Sequence, residues 1–301
     1  MQPTEKALSF LQKFLKNPPS LPFEATLLPM LFAMTREDST IDTAALAKLI
    51  GRSQKLTLRV LSTANSAAYG LRYKISTLHH AINILGFREV RLLVATLGFA
   101  AAIRQIRLPK TFESDALWRH HLKTATIAKT LVVELGSPSG ICGPPAGKED
   151  RLSMAPDEAY VAGLLHDIGK IFFAAACPDI WEEIEIIWKK NEQQYFEAEN
   201  EYWGLDHALI AAKLLHYWKL PELLTETVNW HHMPELATTY KTEARLLAAA
   251  NHIAHSDFDL ESGLCEEAVA FLPKGIDVAA LGTAISQSLT SVKAEVFATL
   301  I

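Results

Sequence analysis

Helical periodicity runs through almost the whole chain, and it constrains the fold more than any other feature of the sequence. Segments such as "REVRLLVATLGFAAAIRQI" and "DHALIAAKLLHYWKL" repeat their apolar residues three and four positions apart, which places them on one face of an α-helix. No clear run of alternating β-branched residues bounded by hairpin turns is present in the sequence. At 301 residues and 49% hydrophobic content, the chain can bury a sizeable core. The sequence therefore predicts an all-α globular protein.

Breaks in the helical pattern predict the domain organisation. A first helix, about 4–16, places Leu8, Leu11 and Leu15 on one stripe and ends before the prolines of "NPPSLP". Later segments include a predicted helix "FEATLLPMLFAM" and a Pro/Gly/Ser-rich loop at about 137–157, which we interpret as an insertion. We expect four parts: an N-terminal helical extension (1–19), an N-terminal helical half (20–110), a second helical half (111–258) and a C-terminal helical tail (259–301).

Charge and cysteine usage exclude several classes of function. The net charge of −5 and the absence of a long Lys/Arg run make a nucleic-acid surface an unfavoured interpretation. The three cysteines are far apart and form no CxxC pair, so we expect reduced thiols rather than disulfides or a zinc knuckle. The sequence contains no run of about 18 consecutive apolar residues and no secretory-signal pattern, so we predict no membrane span and a cytoplasmic location.

Histidines are concentrated in the second half of the chain. Nine of the eleven lie after residue 119. Histidine and aspartate bind divalent first-row metals at about 2.0–2.2 Å, and facing helices of a bundle can bring several such ligands to one point. The histidines of this half are His120, His121, His166, His207, His216, His231, His232, His252 and His255.

Residues 163–170, "GLLHDIGK", leave two interpretations open. His166 shares a helix face with Gly163, and Asp167 lies about 100° round the helix. The adjacent pair can therefore bind one ion between them or two separate ions. Alternatively, His166 is a core residue that donates a ring N–H to a carbonyl, and Asp167 caps the next turn. Periodicity likewise does not choose between His120 and His121 as the inward-facing residue.

Several stretches together resemble a known family. "HHLKTATIAKTL", "GLLHDIGK", "GLDHALIAAKLLHYWKLPELLTETVNWHH" and "ARLLAAANHIAHS" are similar to the HD superfamily of metal-dependent phosphohydrolases. "LAKLIGRSQKLTLRVLSTANSAAYG" and "ISTLHHAINILGFREVRLLVATLGF" resemble more specifically the HDOD domain, the HD-related output domain of bacterial signalling proteins. The resemblance spans about residues 20–255 and implies an HD-superfamily helical bundle with a second, N-terminal helical subdomain.

The resemblance also implies a set of site residues. The superfamily's final aspartate falls on Asn251, a neutral ligand that removes one negative charge from the cage. Asp167 and Lys170 are the candidate catalytic residues of a phosphohydrolase, with Lys170 offering positive charge to a phosphate. Alternatively, Lys170 is a solvated lysine at a helix end. The implied divalent metal is Fe, Mn, Ni, Zn or Mg. The positions that match metal ligands are His120, His166, Asp167, His207, His231, His232 and Asn251.

Two functions are consistent with this resemblance. The first is a signal-transduction output module that acts mainly through a signalling protein partner or self-association and keeps a partial metal site. The second is a metal-dependent phosphohydrolase acting on phosphomonoesters or cyclic nucleotides, for which a nucleotide ligand is expected. The Gly-Tyr-Pro signature of cyclic-di-GMP phosphodiesterases is absent after His231 and His232, where the chain reads "MPELATTY". On these grounds the output module is our favoured hypothesis.

Overall fold

The computed structural model describes residues 4–16, 43–66, 69–136, 152–191, 194–256 and 263–300. Every regular element within these ranges is a helix, which confirms the all-α prediction. The predicted helix "FEATLLPMLFAM" and residues 137–151 of the predicted loop lie outside the described residues. The chain divides into two compact units, one formed by residues 20–106 and the other by residues 1–19 together with 107–301. The four-part division expected from the sequence stays a prediction.

The unit of residues 20–106 contains α2 (Thr43–Ile50), α3 (Gln54–Ala64) and α4 (Leu78–Gln105). The Ser53 hydroxyl caps α3 by accepting the backbone N–H of the third helical residue. Gly86 has φ of 81°, so α4 is two helices joined at a kink, as the sequence predicted for "TLHHAINILGF" and "REVRLLVATLGFAAAIRQI". The side chains that fill this unit's core include Leu46, Ile50, Leu56, Val60, Ile82 and Val94.

The larger unit is a helical bundle. Its helices are α1 (Glu5–Lys16), α5 (Ser114–Gly136), α6 (Pro156–Leu165), α7 (Ile168–Ala176), α8 (Pro178–Asn191), α9 (Tyr195–Tyr202), α10 (His207–Tyr217), α11 (Glu222–Asn229), α12 (Lys241–His255), α13 (Glu266–Phe271) and α14 (Val278–Leu300), with a 3₁₀ turn at Pro234–Leu236. Helix α5 packs against α6, α12 and α14, and α10 packs against α7 and α11. These helices surround the segment that carries His166 and Asp167.

The helical pattern of "EAYVAGLLHDIGKIFFAAA" predicts one helix, whereas the structure divides this segment into two. Helix α6 ends at Leu165 and α7 begins at Ile168, so His166 and Asp167 lie at a break between two helices. The backbone of Asp167 leaves the helical region, at φ −99° and ψ 10°. Its carboxylate is held by side chains from elsewhere in the bundle, and such tertiary contacts override local helix propensity.

Helix α1 packs against the bundle mainly through its phenylalanines. Phe10 and Phe14 are buried, whereas Leu8, at one end of the leucine stripe, is 47% exposed. The ring of Phe10 lies 6.4 Å from that of Phe173 and 5.3 Å from that of Trp203. Contact with these aromatic rings buries the phenylalanine side of the apolar face of α1.

One described stretch, Pro156–Ala176, has the length and composition of a membrane span, with a mean hydropathy of 1.3. It comprises α6 and α7 and is interrupted by His166 and Asp167. Within it, 83% of the apolar window is buried inside the bundle. Such burial is typical of core helices.

Candidate metal centre

Two close helix approaches bring the predicted site residues together. A Cβ on Gly163 would lie 2.6 Å from the Cα of Ala125, so only glycine lets α6 approach α5 this closely. A Cβ on Gly169 would overlap the carbonyl oxygen of His207, so α7 meets α10 in the same way. These contacts place His166 and Asp167 between a histidine on α5 and another at the start of α10.

All predicted ligand histidines converge on the Asp167 carboxylate or on a histidine that contacts it. The Oδ1 atom of Asp167 lies 2.9 Å from Nε2 of His207, 3.4 Å from Nε2 of His166 and 3.7 Å from Nε2 of His231. Its Oδ2 atom lies 3.8 Å from Nε2 of His120. In addition, Nε2 of His207 and Nε2 of His232 are 2.9 Å apart, and Nε2 of His120 and Nε2 of His166 are 3.1 Å apart.

The donors fall into two groups that share one residue. The first group, called here the His207 group, comprises Asp167, His207, His231 and His232. The second, called here the His120 group, comprises His120, His166 and Asp167. Within each group the candidate ligand atoms lie within 4.8 Å of one another. Asp167 is therefore placed to bridge two ions.

Hydrogen bonds orient three of the rings so that Nε2 faces the centre. His166 donates from Nδ1 to the carbonyl oxygen of Gly163 at 2.8 Å, and His231 donates from Nδ1 to that of Val228 at 2.7 Å. His207 donates from Nδ1 to a buried carboxylate at 2.6 Å. A metal-bound histidine is usually fixed by a bond of this kind from its other nitrogen.

The residues present fit a metal ion. Ligand atoms about 2.1 Å from an ion lie about 3.0–3.4 Å apart in octahedral or tetrahedral geometry, and several distances in the centre are of this size. Within the described part of the chain, the buried atoms Nε2 of His231 and Oδ1 of Asn251 have no hydrogen-bond partner. An ion would satisfy such atoms, which are otherwise costly to bury.

The electrostatics of the centre favour a cation. Burial would raise the pKa of Asp167, but the positive charges of Lys170 and His207 hold it well below its usual value. Burial lowers the pKa values of His120, His166 and His232 well below the usual value, so these rings are neutral and can ligate. Each of these pKa shifts favours a centre with one ionised carboxylate and several neutral imidazoles.

His207 differs from the other histidines. Burial alone would lower its pKa, but the nearby carboxylates, chiefly Glu199, raise it to about 9. In the metal-free protein a proton therefore lies on Nε2, facing Oδ1 of Asp167 at 2.9 Å. Metal binding would replace this proton.

Lys170 also reaches the centre. Its Nζ lies 2.6 Å from Oδ2 of Asp167. Asp167 is the N-cap residue of α7, but its side chain makes no capping hydrogen bond. The carboxylate thus points into the centre, and the capping interpretation of Asp167 does not hold.

A cavity of about 720 Å³ opens beside the centre. One part of its lining comes from the centre itself and the rest includes several aromatic rings. Residues of the centre that line it are His120, Asp167, Lys170, His232 and Asn251. The aromatic residues include Phe112, Trp181, Trp188, Tyr195 and Phe196.

All eight predicted site residues are brought together, and their roles in metal binding or catalysis stay predictions. Sequence reasoning missed two neighbours. Glu199 accepts a hydrogen bond from His207, and no spacing pattern in the sequence indicates this contact. His255 stacks on His120 at 4.0 Å between ring centroids, and its position one turn after Asn251 could have indicated it.

The structure also distinguishes the adjacent histidines of α5. His121 is fully buried, and its Nδ1 donates to the carbonyl oxygen of Leu164 at 2.6 Å. Burial lowers its pKa to about 4. His121 therefore behaves as the core histidine of the pair, while His120 faces the centre.

The larger unit is an all-α bundle with a buried His/Asp centre between its helices, which is the arrangement expected of the HD superfamily. Residues 21–234 match the model of the HDOD domain, which covers well over half of the chain. The chain therefore belongs to the HDOD family, as its sequence motifs predicted.

Comparisons with other proteins agree on the fold. The HDOD domain protein with unknown function from Geobacter sulfurreducens has a TM-score of 0.73 at 20% identity, with 97% of each chain covered. A Shewanella amazonensis SB2B protein, named only provisionally as a phosphohydrolase, has a TM-score of 0.66 at 25% identity, with 93% of each chain covered. An uncharacterized protein of Treponema pallidum (strain Nichols) is 24% identical over 216 residues, 71% of this chain. The match spans 38% of that relative's length.

Proposed function

We propose that this protein is an HDOD signal-output module whose larger unit binds one or two divalent metal ions at the His/Asp centre. A single observation carries the metal-binding part of the proposal. The rings of His166, His207 and His231 each donate from Nδ1 to a protein oxygen and direct Nε2 towards Oδ1 of Asp167. Structural histidines need no common target, whereas metal ligands do.

The donor set favours a first-row transition metal. Imidazole nitrogen suits Zn, Fe and Ni, whereas Mg²⁺ prefers oxygen ligands and keeps much of its water. The His207 group offers three imidazoles and a shared carboxylate. We therefore propose Fe, Mn, Ni or Zn ahead of Mg.

Asn251 does not prevent metal binding in this arrangement. It is buried and lines the cavity, and its Oδ1 finds no hydrogen-bond partner in the described ranges. Both donor groups are formed without it. The missing negative charge would weaken the centre rather than abolish it, because a neutral carbonyl oxygen still donates a lone pair.

Elemental analysis of protein purified without an affinity tag tests the metal. We expect at least one equivalent of transition metal per chain and its loss in His166→Ala. The control is His216→Ala, which changes an exposed histidine of α10 and should leave the metal content unchanged. Wild-type protein that contains no transition metal, and binds none on titration with Mn²⁺ or Zn²⁺, would contradict the proposal.

The output role rests on membership of the family. We propose that metal loading alters binding to a signalling protein or to a second copy of this chain, within the cytoplasm. Light scattering after size-exclusion chromatography of metal-free and metal-loaded protein tests self-association. If the protein hydrolyses a phosphoester and His166→Ala abolishes this activity, the result would instead support the second function below.

The second candidate function is metal-dependent phosphoester hydrolysis, and the cavity of about 720 Å³ beside the centre favours it. Space of this size admits a substrate to Asp167 and Lys170, which both line it. The provisional name of the Shewanella amazonensis protein agrees with this chemistry.

The chain's own residues have clear tasks in such a reaction. Bound divalent ions would supply Lewis-acid charge and a water of lowered pKa. His120, His166 and the His207 group would hold the ions, and Lys170 would donate from Nζ to a phosphate oxygen once it leaves Asp167. A screen of phosphomonoesters and cyclic nucleotides with Mn²⁺-loaded protein tests this function. Activity that persists in His166→Ala would rule the centre out as its source.

A further inference from the structure

We infer that the two donor groups are unequal and that Glu199 is the positioning residue that makes the His207 group the tighter site. This inference rests on the metal-binding part of the proposed function. An ion in the His207 group is then expected to stay bound through purification, whereas an ion in the His120 group exchanges.

Glu199 forms hydrogen bonds with both the ring and the backbone of His207. Its Oε2 accepts the ring Nδ1–H of His207 at 2.6 Å and the backbone N–H of the same residue at 3.0 Å. The side chain is completely buried, so no water competes for these bonds. Its Oε1 makes no hydrogen bond within the part of the chain that is described. A carboxylate behind a histidine ligand fixes the ring and increases the electron density at Nε2.

Among the described residues, no carboxylate is seen to back the histidines of the His120 group in this way. His166 is backed by the carbonyl oxygen of Gly163, which is neutral. The side chain of His120 remains 11% exposed, and its ring is stacked on His255. This group also offers two imidazoles, where the His207 group offers three.

The shared carboxylate adds a second inequality. Oδ1 of Asp167 faces His207 at 2.9 Å, while Oδ2 is occupied by the ammonium of Lys170 at 2.6 Å. An ion in the His120 group that used Oδ2 would have to displace Lys170 and would feel its positive charge. An ion in the His207 group would instead use Oδ1 and displace only the proton of His207, so Lys170 opposes the second ion more than the first.

Metal titration of chelator-stripped full-length protein with Mn²⁺ tests the inference, using Glu199→Gln and the control Glu201→Gln. Glutamine keeps an acceptor oxygen but removes the charge, and Glu201 is an exposed residue of the same helix. We expect wild-type protein to bind one ion tightly and one weakly. Glu199→Gln should weaken the tight site by about 10–100-fold, and Glu201→Gln should not change it.

A second variant covers the case in which Glu199→Gln fails to fold. His120→Ala should remove only the weaker ion and leave the tight one with its wild-type affinity, because His120 is not in the His207 group. Loss of the tight ion in His120→Ala, or unchanged tight binding in folded Glu199→Gln, overturns the inference. If wild-type protein binds no metal at all, the proposed function itself fails, and the two failures are therefore distinguishable.

Discussion

The contact between α7 and α10 leads to a sharp prediction for Gly169→Ala. A Cβ at this position would lie 2.8 Å from the carbonyl carbon of His207 and 3.0 Å from the backbone nitrogen of Ala211. The carbonyl oxygen of His207 would lie closer still. Non-bonded atoms pack best at about 3.5–4.0 Å, so the two helices must separate by roughly 1 Å or more. The atoms that obstruct the methyl group are backbone, which cannot change rotamer.

The cost follows from two opposing effects. Overpacking a close contact costs about 1–3 kcal/mol. Replacing glycine by alanine inside a helix recovers up to about 1 kcal/mol through helix propensity. We expect a net loss of about 1–2 kcal/mol in the free energy of unfolding. Because His207 moves with α10, metal affinity should fall by more than about tenfold, since metal–ligand distances tolerate only about 0.2 Å.

Urea unfolding followed by circular dichroism, together with Mn²⁺ titration, measures both effects. The control is Gly136→Ala, where an added Cβ would meet nothing within 4 Å and φ is not positive. We expect this control to leave the urea midpoint and the metal affinity within error of wild type. If Gly169→Ala behaves like the control in both assays, the reasoning that close helix approach positions His207 is refuted.

Three further predictions follow from other parts of the larger unit. Phe10→Ala should cost about 3–5 kcal/mol in the free energy of unfolding, because it removes the buried ring of α1. Leu8→Ala on the exposed face should change it by less than about 0.5 kcal/mol, and equal effects on the urea midpoint would contradict the observed docking face. The pKa of His207 is raised from 6.5 to about 9, so its contribution to stability is complete below pH 6.5 and is lost as pH rises through 9. Metal-free protein should therefore lose up to about 3 kcal/mol over this range, a slope that His207→Gln should flatten in urea titrations at several pH values. Asn251→Asp should strengthen Mn²⁺ binding by restoring a charge, and calorimetry that finds no change would place Asn251 outside the centre.

The sequence predicted the all-α fold class and, through motif resemblance, which side chains the structure brings together. Motif resemblance singled out His120, and the structure places it at the centre, but helical periodicity alone could not separate it from His121. The hydrogen bond that distinguishes the two histidines joins His121 to Leu164, 43 residues away in sequence. Glu199 had no sequence signal, because only its tertiary contact with His207 brings it to the centre. Such long-range contacts are invisible to local pattern reasoning.

The one helix whose extent was wrongly predicted has the same physical explanation. The break at His166 and Asp167 replaces a continuous helix because the contacts of the carboxylate outweigh local propensity. The docking face of α1 depends on the aromatic rings of Phe173 and Trp203, which are far away in sequence. Helix existence followed from periodicity, whereas the interruption of one helix and the orientation of another followed from packing.

The docking of α1 has a consequence for how the chain reaches its native state. The backbone N–H of Thr4 donates to the carbonyl oxygen of Trp203 at 2.9 Å, so the unit of residues 20–106 lies within a loop that this contact closes. Closing a loop of about 200 residues costs on the order of 5 kcal/mol in chain entropy. This contact joins residues far apart in sequence, so we expect α1 to join the bundle late in folding. A fragment cut at residue 20 would lack the last piece to assemble and would leave the rings of Phe173 and Trp203 uncovered.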